Sequence, residues 1–293
     1  MKVTGLLKMV MRLLPDRAYI HLKYWMRMKK KLNLKNPQTY TEKLQWLKLY
    51  DRNQQYSLLV DKYEVKQYVS RRIGEQYVIP TLGIYDCFDE IDFDRLPDSF
   101  VIKCTHDSGG LVICRNKANL NLTEARKYIE SRRNSNYYLH NREWPYKGLK
   151  PRILVEQYME NGGTQDESGE LTDYKFFAFD GVTRALFVAT DRSSETEETK
   201  FDFYDTDFRH LDLRNGHPNA TRSVAKPKNF DKMIELANEL SKGLPQARID
   251  FYEVNGQIYF GEITLFHWGG FTAFEPEEWD KTFGDWIRLP ERR

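Results

Sequence analysis

Four residues with chemical potential sit close together near the C-terminus. They are Arg248, Asp250, Glu262 and Thr264, in R-I-D-F-Y-E-V-N-G-Q-I-Y-F-G-E-I-T-L-F-H-W-G-G, residues 248–270. Two carboxylates on one face can bracket a hard divalent cation, which takes oxygen ligands at about 2.0–2.1 Å when it is magnesium. Ile249, Phe251, Ile258 and Phe260 around Asn255-Gly256 predict the β-hairpin that carries them. Its register decides the matter, because side chains alternate with period 2. A two-residue Asn255-Gly256 turn sets Asp250 opposite Gly261 and Glu262 opposite Ile249, on opposite faces. A three-residue loop, Val254-Asn255-Gly256, sets Arg248 opposite Glu262 and gathers all four on one face. The competing reading is a solvated strand face of mixed charge.

Other residues offer anion chemistry. T-H-D-S-G-G, residues 105–110, joins two apolar stretches, and Ser108, Gly109 and Gly110 would let the backbone approach an anion closely. Lys103 ends the run before it, and Lys175 shares a strand face with Asp173, Phe177 and Phe179. Each lysine either guards a strand edge or reaches a phosphate. Val155-Glu156-Gln157-Tyr158 ends a buried strand before the connector 161–169. That is a natural hinge, where backbone groups can pair with an adenine edge and Glu156 can accept from its amino group or the ribose; the competing reading of Glu156 alone is a solvated strand end. The chain contains neither G-x-x-x-x-G-K-[ST] nor G-x-G-x-x-G, which removes the usual nucleotide fingerprints. Asp205-Thr206-Asp207 is a D-x-D sequence of the kind that holds a metal and a sugar-nucleotide diphosphate.

The elements around these residues follow from pattern. Thr39-Tyr-Thr-Glu42 is a capping box opening a helix through Tyr50. A second helix is predicted over 58–73, ended by Gly74, and others over 121–134 and 230–242. Strands are predicted at 77–85, 99–115, 153–159, 173–191 (turning at Asp180-Gly181) and 248–264. Helices dominate before residue 100 and strands after it, an α+β pattern with two antiparallel sheets each carrying a helix.

Bulk properties limit the classes. Hydrophobic residues make up 40% of the 293 and charged residues 30%, as in a soluble globular protein. The net charge of +2 gives no case for a nucleic-acid partner. Residues 1–35, however, carry ten lysines and arginines against the single acid Asp16, a balance of +9. Their apolar spacing predicts a basic amphipathic helix pair, resting either on an anionic membrane surface or on the body of the protein. No run of 18 apolar residues occurs, and no signal peptide is expected. Three cysteines, Cys87, Cys104 and Cys114, argue for a reducing compartment, so a cytoplasmic location is expected, peripheral to the inner face of a membrane if the basic segment binds lipid.

In order along the chain come a strand lysine with a Gly loop, a hinge Glu, a second strand lysine, then Arg-x-Asp, a hairpin and Glu-x-Thr. That order is similar to ATP-grasp enzymes. N-P-Q-T-Y-T-E-K-L-Q-W-L-K-L-Y-D-R-N, D-K-Y-E-V-K-Q-Y-V, I-P-T-L-G-I-Y-D, F-V-I-K-C-T-H-D-S-G-G, I-L-V-E-Q-Y, D-Y-K-F-F-A-F-D-G and Y-F-G-E-I-T together resemble the TupA-like (teichuronopeptide biosynthesis) ATP-grasp family over about 36–290.

The resemblance implies two α+β lobes with antiparallel sheets sandwiching ATP, preceded by the basic helical segment. It suggests a division into 1–50, 51–155 and 156–293. It implies a carboxylate–amine ligase acting through an acyl phosphate, with ATP and Mg2+ as cofactors. Lys103 and Lys175 would hold phosphates, with Ser108, Gly109 and Gly110 closing over them. Glu156, Gln157 and Tyr158 would frame the adenosine, and Asp250 and Glu262 would bind magnesium. Thr264 stands where many ATP-grasp proteins carry Asn, and its hydroxyl would join the metal shell. Arg248, with Lys175, would stabilise the transferring phosphoryl. Gly269 and Gly270 would admit a substrate carboxylate. The family suggests a uronic acid of a surface-polysaccharide precursor joined to an amino acid or amine, with Tyr137, Tyr138, Trp144, Tyr146 and Trp268 as stacking rings. The alternatives are a metal-dependent glycosyltransferase using Asp205 and Asp207, and a non-catalytic, membrane-peripheral glycan-binding protein.

Overall fold

The computed structural model describes residues 11–160, 171–191, 198–221 and 224–292. The connector 161–169, most of the loop 192–200 and the first ten residues of the basic segment lie wholly or partly outside them. Helices α1 (Asp16–Met28), α2 (Tyr40–Tyr50), α3 (Gln55–Val60) and α4 (Glu64–Ile73) come first. A small antiparallel sheet follows, built from β1 (Thr81–Tyr85), β2 (Phe100–Cys104), β3 (Leu111–Cys114) and β4 (Ile153–Gln157) in the order β1-β4-β2-β3. Helix α5 (Leu122–Arg133) backs it, and Phe100, Ile102, Ile129, Ile153 and Val155 fill the space between.

The larger sheet contains β5 (Asp173–Phe179), β6 (Val182–Thr190), β7 (Lys200–Tyr204), β8 (His210–Leu211), β10 (Ala247–Val254) and β11 (Gln257–Thr264), ordered β11-β10-β5-β6-β7-β8. A two-stranded ribbon pairs β9 (Arg214–Asn215) with β12 (Phe274–Glu275). Helix α6 (Phe230–Ser241) covers one face of the large sheet, with Phe230 against Phe176. On the other face Phe177 meets Tyr40 of α2 and Phe283 of α7 (Glu278–Trp286), edge to face. Edge-to-face geometry adds about 0.5–1.5 kcal/mol to what burial supplies. That packed face continues into Lys175 and Asp173, so one side of the sheet is dry under the helices and polar beyond them.

Several predicted elements appear where pattern places them. Thr39 caps α2 by accepting the Glu42 N–H at 3.3 Å, and the Glu42 carboxylate accepts the Thr39 N–H at 3.4 Å. The Asp180-Gly181 turn has φ of 47° and 84°, as a two-residue type I′ hairpin requires.

Two expectations differ, and one alternative left open by sequence is decided for α1. The helix predicted over 58–73 is broken at Asp61-Lys62-Tyr63. The Asp61 carboxylate accepts the N–H groups of Tyr63 and Glu64 at 2.9 and 3.0 Å and starts a new helix there. The Lys62 N–H donates instead to the Thr105 carbonyl, at 2.9 Å. Nor do residues 11–50 stand apart. Tyr19, Ile20, Tyr24, Tyr40 and Leu44 join the large-sheet core, as do Leu59, Val60, Val65 and Val69 of α3 and α4. Helices that sequence assigns to a leading segment and to the first lobe therefore brace the second sheet. Finally, the apolar face of α1 lies on the body rather than being free. Leu13 and Trp25 nonetheless remain 82% and 58% exposed.

Candidate active site

The hairpin reaches the shared face by a route sequence does not show. Val254 pairs with Gln257, so the turn is the two-residue Asn255-Gly256 form, with φ of 51° and 77°. By alternation alone this separates the two acids. A bulge at Gly261 resets the ladder: Phe251 faces Phe260, while Asp250 faces Glu262 and Arg248 faces Thr264. A side chain at 261 would meet the Tyr252 ring at 3.0 Å and the Asp250 carbonyl at 3.2 Å, so one fits there only if these neighbours give way.

Arg248, Asp250 and Glu262 form one ion network. Arg248 donates Nε and Nη2 to the two Asp250 oxygens, both at 2.7 Å, and Nη2 also to Glu262 at 2.7 Å. Thr264 donates its hydroxyl to the same Glu262 oxygen, at 2.9 Å. Lys175, opposite Asp250 on β5, lies 2.5 Å from both Asp250 and Asp173. Burial pushes the Asp250 carboxyl up despite Arg248 and Lys175. Burial acts in the same sense on Glu262, but Arg248, Lys175 and Lys62 together with the Thr264 hydroxyl outweigh it and hold it at about 2. Glu262 is therefore an ionised carboxylate across the physiological range. Two facing carboxylates with room for substrate phosphates fit a magnesium ion, which is ordinarily bound by one or two carboxylates plus phosphate oxygens. Among the described residues no cluster of three or more His, Cys, Asp or Glu forms an all-protein cage.

Across the cleft stands the small sheet. Glu156 is buried and lies 2.5 Å from both Lys66 and Lys103. Burial opposes its charge, yet the two lysines win and lower its carboxyl. Lys66 also donates to the Ile79 carbonyl at 2.6 Å. Glu156, expected as a strand-end adenosine contact, also holds two cations in place. Gln157 is exposed, with its N–H on the Pro80 carbonyl at 3.0 Å, and Tyr158 is half-buried. Neither lines the cleft.

The 105–110 loop is held from behind. Arg132 of α5 donates to the Asp107 carboxylate and the Ser108 carbonyl, each at 2.8 Å, and Tyr128 donates to the Gly109 carbonyl at 3.0 Å. A trans peptide points its N–H opposite its C=O. Anchoring those carbonyls on α5 therefore aims the Gly109 and Gly110 N–H groups toward the cleft side. A Cβ at Gly110 would meet the Asp107 carboxylate at 2.3 Å, so any side chain there requires that carboxylate or the loop to shift.

Lys103, Ser108, Gly109, Gly110, Glu156, Lys175, Asp250 and Glu262 thus line one cleft. Arg248 lies beneath its floor, and Thr264 acts on Glu262 rather than on the cleft. Gly269 and Gly270 are buried elsewhere. The Gly269 N–H donates to Phe266 at 2.7 Å, and the carbonyls of both glycines accept from Gln45. Their small size admits Asn141 and Gln45, not a substrate. Tyr138 and Trp144 are buried, and Tyr137 and Tyr146 lie against each other at 4.6 Å, which leaves Trp268, 42% exposed, as the most open of the five rings. Asp205 accepts the N–H groups of Asp207 and Arg209 at 2.9 and 2.8 Å, and Asp207 pairs with Arg209. The D-x-D sequence therefore shapes the turn after β7 and lines no part of the cleft.

Lys62 and Lys66 were missed by sequence reasoning. Lys62 hydrogen-bonds the Asp107 carbonyl and bears on Glu262, and both lysines line the cleft. Their i,i+4 spacing in D-K-Y-E-V-K was the available signal.

A family model described as TupA-like ATPgrasp matches residues 42–288. Among solved structures, D-alanine–D-alanine ligase from Bacillus anthracis complexed with ATP is similar at 14% identity and a TM-score of 0.42, covering 71% of this chain and 55% of that one. The Helicobacter pylori D-alanine–D-alanine ligase gives 14% and 0.40, covering 77% and 61%. The ATP-grasp ligase PsnB complexed with minimal precursor, Mg and ADP gives 11% and 0.41, covering 77% and 57%. The chain spans little more than half the length of these structures. Among curated proteins, none matches.

Proposed function

Because the chain belongs to the TupA-like ATPgrasp family, a class of ATP-binding ligases, we propose that it is an Mg-dependent carboxylate–amine ligase with its nucleotide in the cleft between the two sheets. The observation that carries this reading is convergence. Lys62, Lys66 and Lys103 meet Lys175, Asp250 and Glu262 across one cleft, beneath a glycine loop. Four lysines among the carboxylates Glu156, Asp173, Asp250 and Glu262 suit a triphosphate and its metal.

The chain's residues divide the work. Lys66 and Lys103 stand with Glu156 at one end, where Glu156 accepts from the adenine amino group or ribose and the lysines meet phosphate oxygens. The Gly109 and Gly110 N–H groups close over the phosphates. Asp250 and Glu262 hold magnesium, with Thr264 orienting Glu262; the ion supplies charge neutralisation on the phosphate oxygens. Lys175 and Arg248 stabilise charge on the transferring phosphoryl, where fixed cations in a water-poor site act most strongly. A substrate carboxylate oxygen attacks the γ-phosphorus and ADP leaves. An amine then attacks the acyl carbon and inorganic phosphate departs with one former carboxylate oxygen.

We assign the carboxylate to a uronic acid of a surface-polysaccharide precursor, with an amino acid or amine as second substrate. The exposed Trp268 indole supports a sugar ring near the end of β11. The exposed Trp25 and Leu13 among Arg12, Arg17 and Lys29 support attachment to an anionic membrane surface from the cytoplasmic side. No helix among the described residues is long and apolar enough to cross a membrane. The test uses uronic acids labelled with 18O in the carboxylate, offered with ATP, magnesium and a panel of amines. The ligase reading predicts one 18O in the released phosphate. ATP turnover with unlabelled phosphate and an amide product would reject the acyl phosphate route.

A further inference from the structure

Among the described residues, Arg248 makes one side-chain hydrogen bond to a group that is not an acid. Its Nη1 lies 2.8 Å from His267 Nδ1, and His267 Nε2 lies 3.0 Å from Asn215 Oδ1. Both residues are almost fully buried, at 2% and 1% exposure.

The hydrogen positions follow from chemistry. Arginine has no acceptor, so His267 Nδ1 must offer its lone pair and Nε2 must carry the proton. Nε2–H then needs an acceptor. Asn215 supplies one, because its Nδ2 donates to the Thr272 and Ala273 carbonyls at 3.2 and 3.0 Å and so turns its oxygen to the imidazole. Pairing of β9 with β12, Asn215 opposite Phe274, fixes that amide. The imidazole is held edge-on to Phe177 at 5.0 Å between ring centroids and against Phe187 at 5.5 Å. Burial and the neighbouring Arg248 keep it neutral, in agreement with the acceptor role.

The rest of the guanidinium is bound by Asp250 and Glu262, the same oxygens proposed above to hold magnesium. A cation there competes with Arg248 for both acids. It does not compete for His267, whose lone pair already faces the arginine from the sheet interior. We propose that His267 and Asn215 are positioning residues: a buried neutral relay that keeps the Arg248 guanidinium fixed beneath the cleft floor, where its charge acts on the transferring phosphoryl, when the two carboxylates are engaged by metal. The inference rests on the phosphoryl role assigned to Arg248.

The test compares His267→Gln, which retains an acceptor for Arg248 and a donor for Asn215, with His267→Leu, which retains bulk alone. The first readout needs no ligand. Nitrogen-15 NMR follows solvent exchange of the Arg248 Nη1 protons, which face His267, assigned with Arg248→Lys. The relay predicts slow exchange in wild type and His267→Gln and at least about tenfold faster exchange in His267→Leu. The second is calorimetric affinity for MgATP against MgADP with aluminium fluoride, a mimic of the transferring phosphoryl. His267→Leu should weaken binding of the mimic about tenfold or more and leave MgATP within about threefold, while His267→Gln stays near wild type. If His267→Leu does not fold, Asn215→Ala breaks the far link and should weaken the mimic selectively. Equal damage from His267→Gln and His267→Leu, or an equal loss of MgATP and mimic in either variant, overturns the relay. Wild type that binds neither nucleotide overturns the ligase reading instead, and the exchange readout still decides whether His267 holds Arg248.

Discussion

Asp250→Asn and Glu262→Gln remove one charge each from the same ion network, yet their burial differs. Asp250 is 1% exposed and accepts three hydrogen bonds from Arg248 and Lys175, whereas the Glu262 side chain is 38% exposed. Removing one partner of a buried ion pair costs about 3–5 kcal/mol because a charge is left uncompensated. Here the cost falls below that range, because burial already opposes the Asp250 charge, Arg248 keeps Glu262 and His267, and Lys175 keeps Asp173. About 2 kcal/mol corresponds to a fall in Tm of about 4–6 °C for a chain of this size. For Glu262→Gln, solvent screening reduces the cost to about 1 kcal/mol or less, or about 2 °C. Nucleotide affinity should not follow the same order, since each variant removes one of the two proposed magnesium ligands. Both should weaken MgATP by about tenfold or more. Differential scanning calorimetry and titration with MgATP measure the two quantities on the same samples. Equal Tm losses would show that burial does not set the energetics of the network. MgATP affinity surviving in either variant would show that the facing carboxylates are not the metal site.

Lys66→Met should weaken MgATP about tenfold by calorimetry, matching Lys103→Met, since both cations share Glu156. An unchanged affinity would remove Lys66 from the phosphate site. Gly110→Ala places a methyl against Asp107 Oδ2 and should lower both Tm and MgATP affinity, whereas Gly148→Ala, with open space at its Cβ, costs only the left-handed backbone penalty of about 1 kcal/mol. His267 is held neutral well below its usual range. Between its folded pKa and about 6.5 the unfolded chain binds a proton that the native one does not, so stability falls as pH falls through that window, by at most about 1.4 kcal/mol per pH unit. Urea melts from pH 7 to 5 should show a shallower decline in His267→Gln than in wild type. Sedimentation with vesicles containing phosphatidylserine should pull down the full chain, and Trp25→Ala should reduce the bound fraction several-fold without changing MgATP affinity.

Much of the site was legible because its residue types are unusual for their places. A lysine at the end of an apolar strand, a glycine pair between two strands, and acids interrupting a hairpin all stand out from a structural background. What was not legible depends on tertiary context. The Gly261 bulge is one residue of extra chain, and its effect on register cannot be counted from alternation. Asp61 breaks a helix whose apolar periodicity runs on through it, because its carboxylate and the Thr105 carbonyl compete for the backbone N–H groups. Gly269 and Gly270 resemble a ligand-binding pair in sequence, but in space they make room for Asn141 and Gln45. The apolar stripe of α1 cannot say whether lipid or the body of the protein covers it; Tyr19, Ile20 and Tyr24 lie in the core.

The most direct measurement is calorimetric binding of ATP to wild type and to Glu262→Gln, each with magnesium and with chelator, beside UDP- and GDP-sugars. The account predicts that wild type binds ATP tightly with magnesium alone, that Glu262→Gln loses most of this binding, and that the sugar nucleotides do not compete. A sugar nucleotide that binds in place of ATP, indifferent to Glu262→Gln, would contradict it.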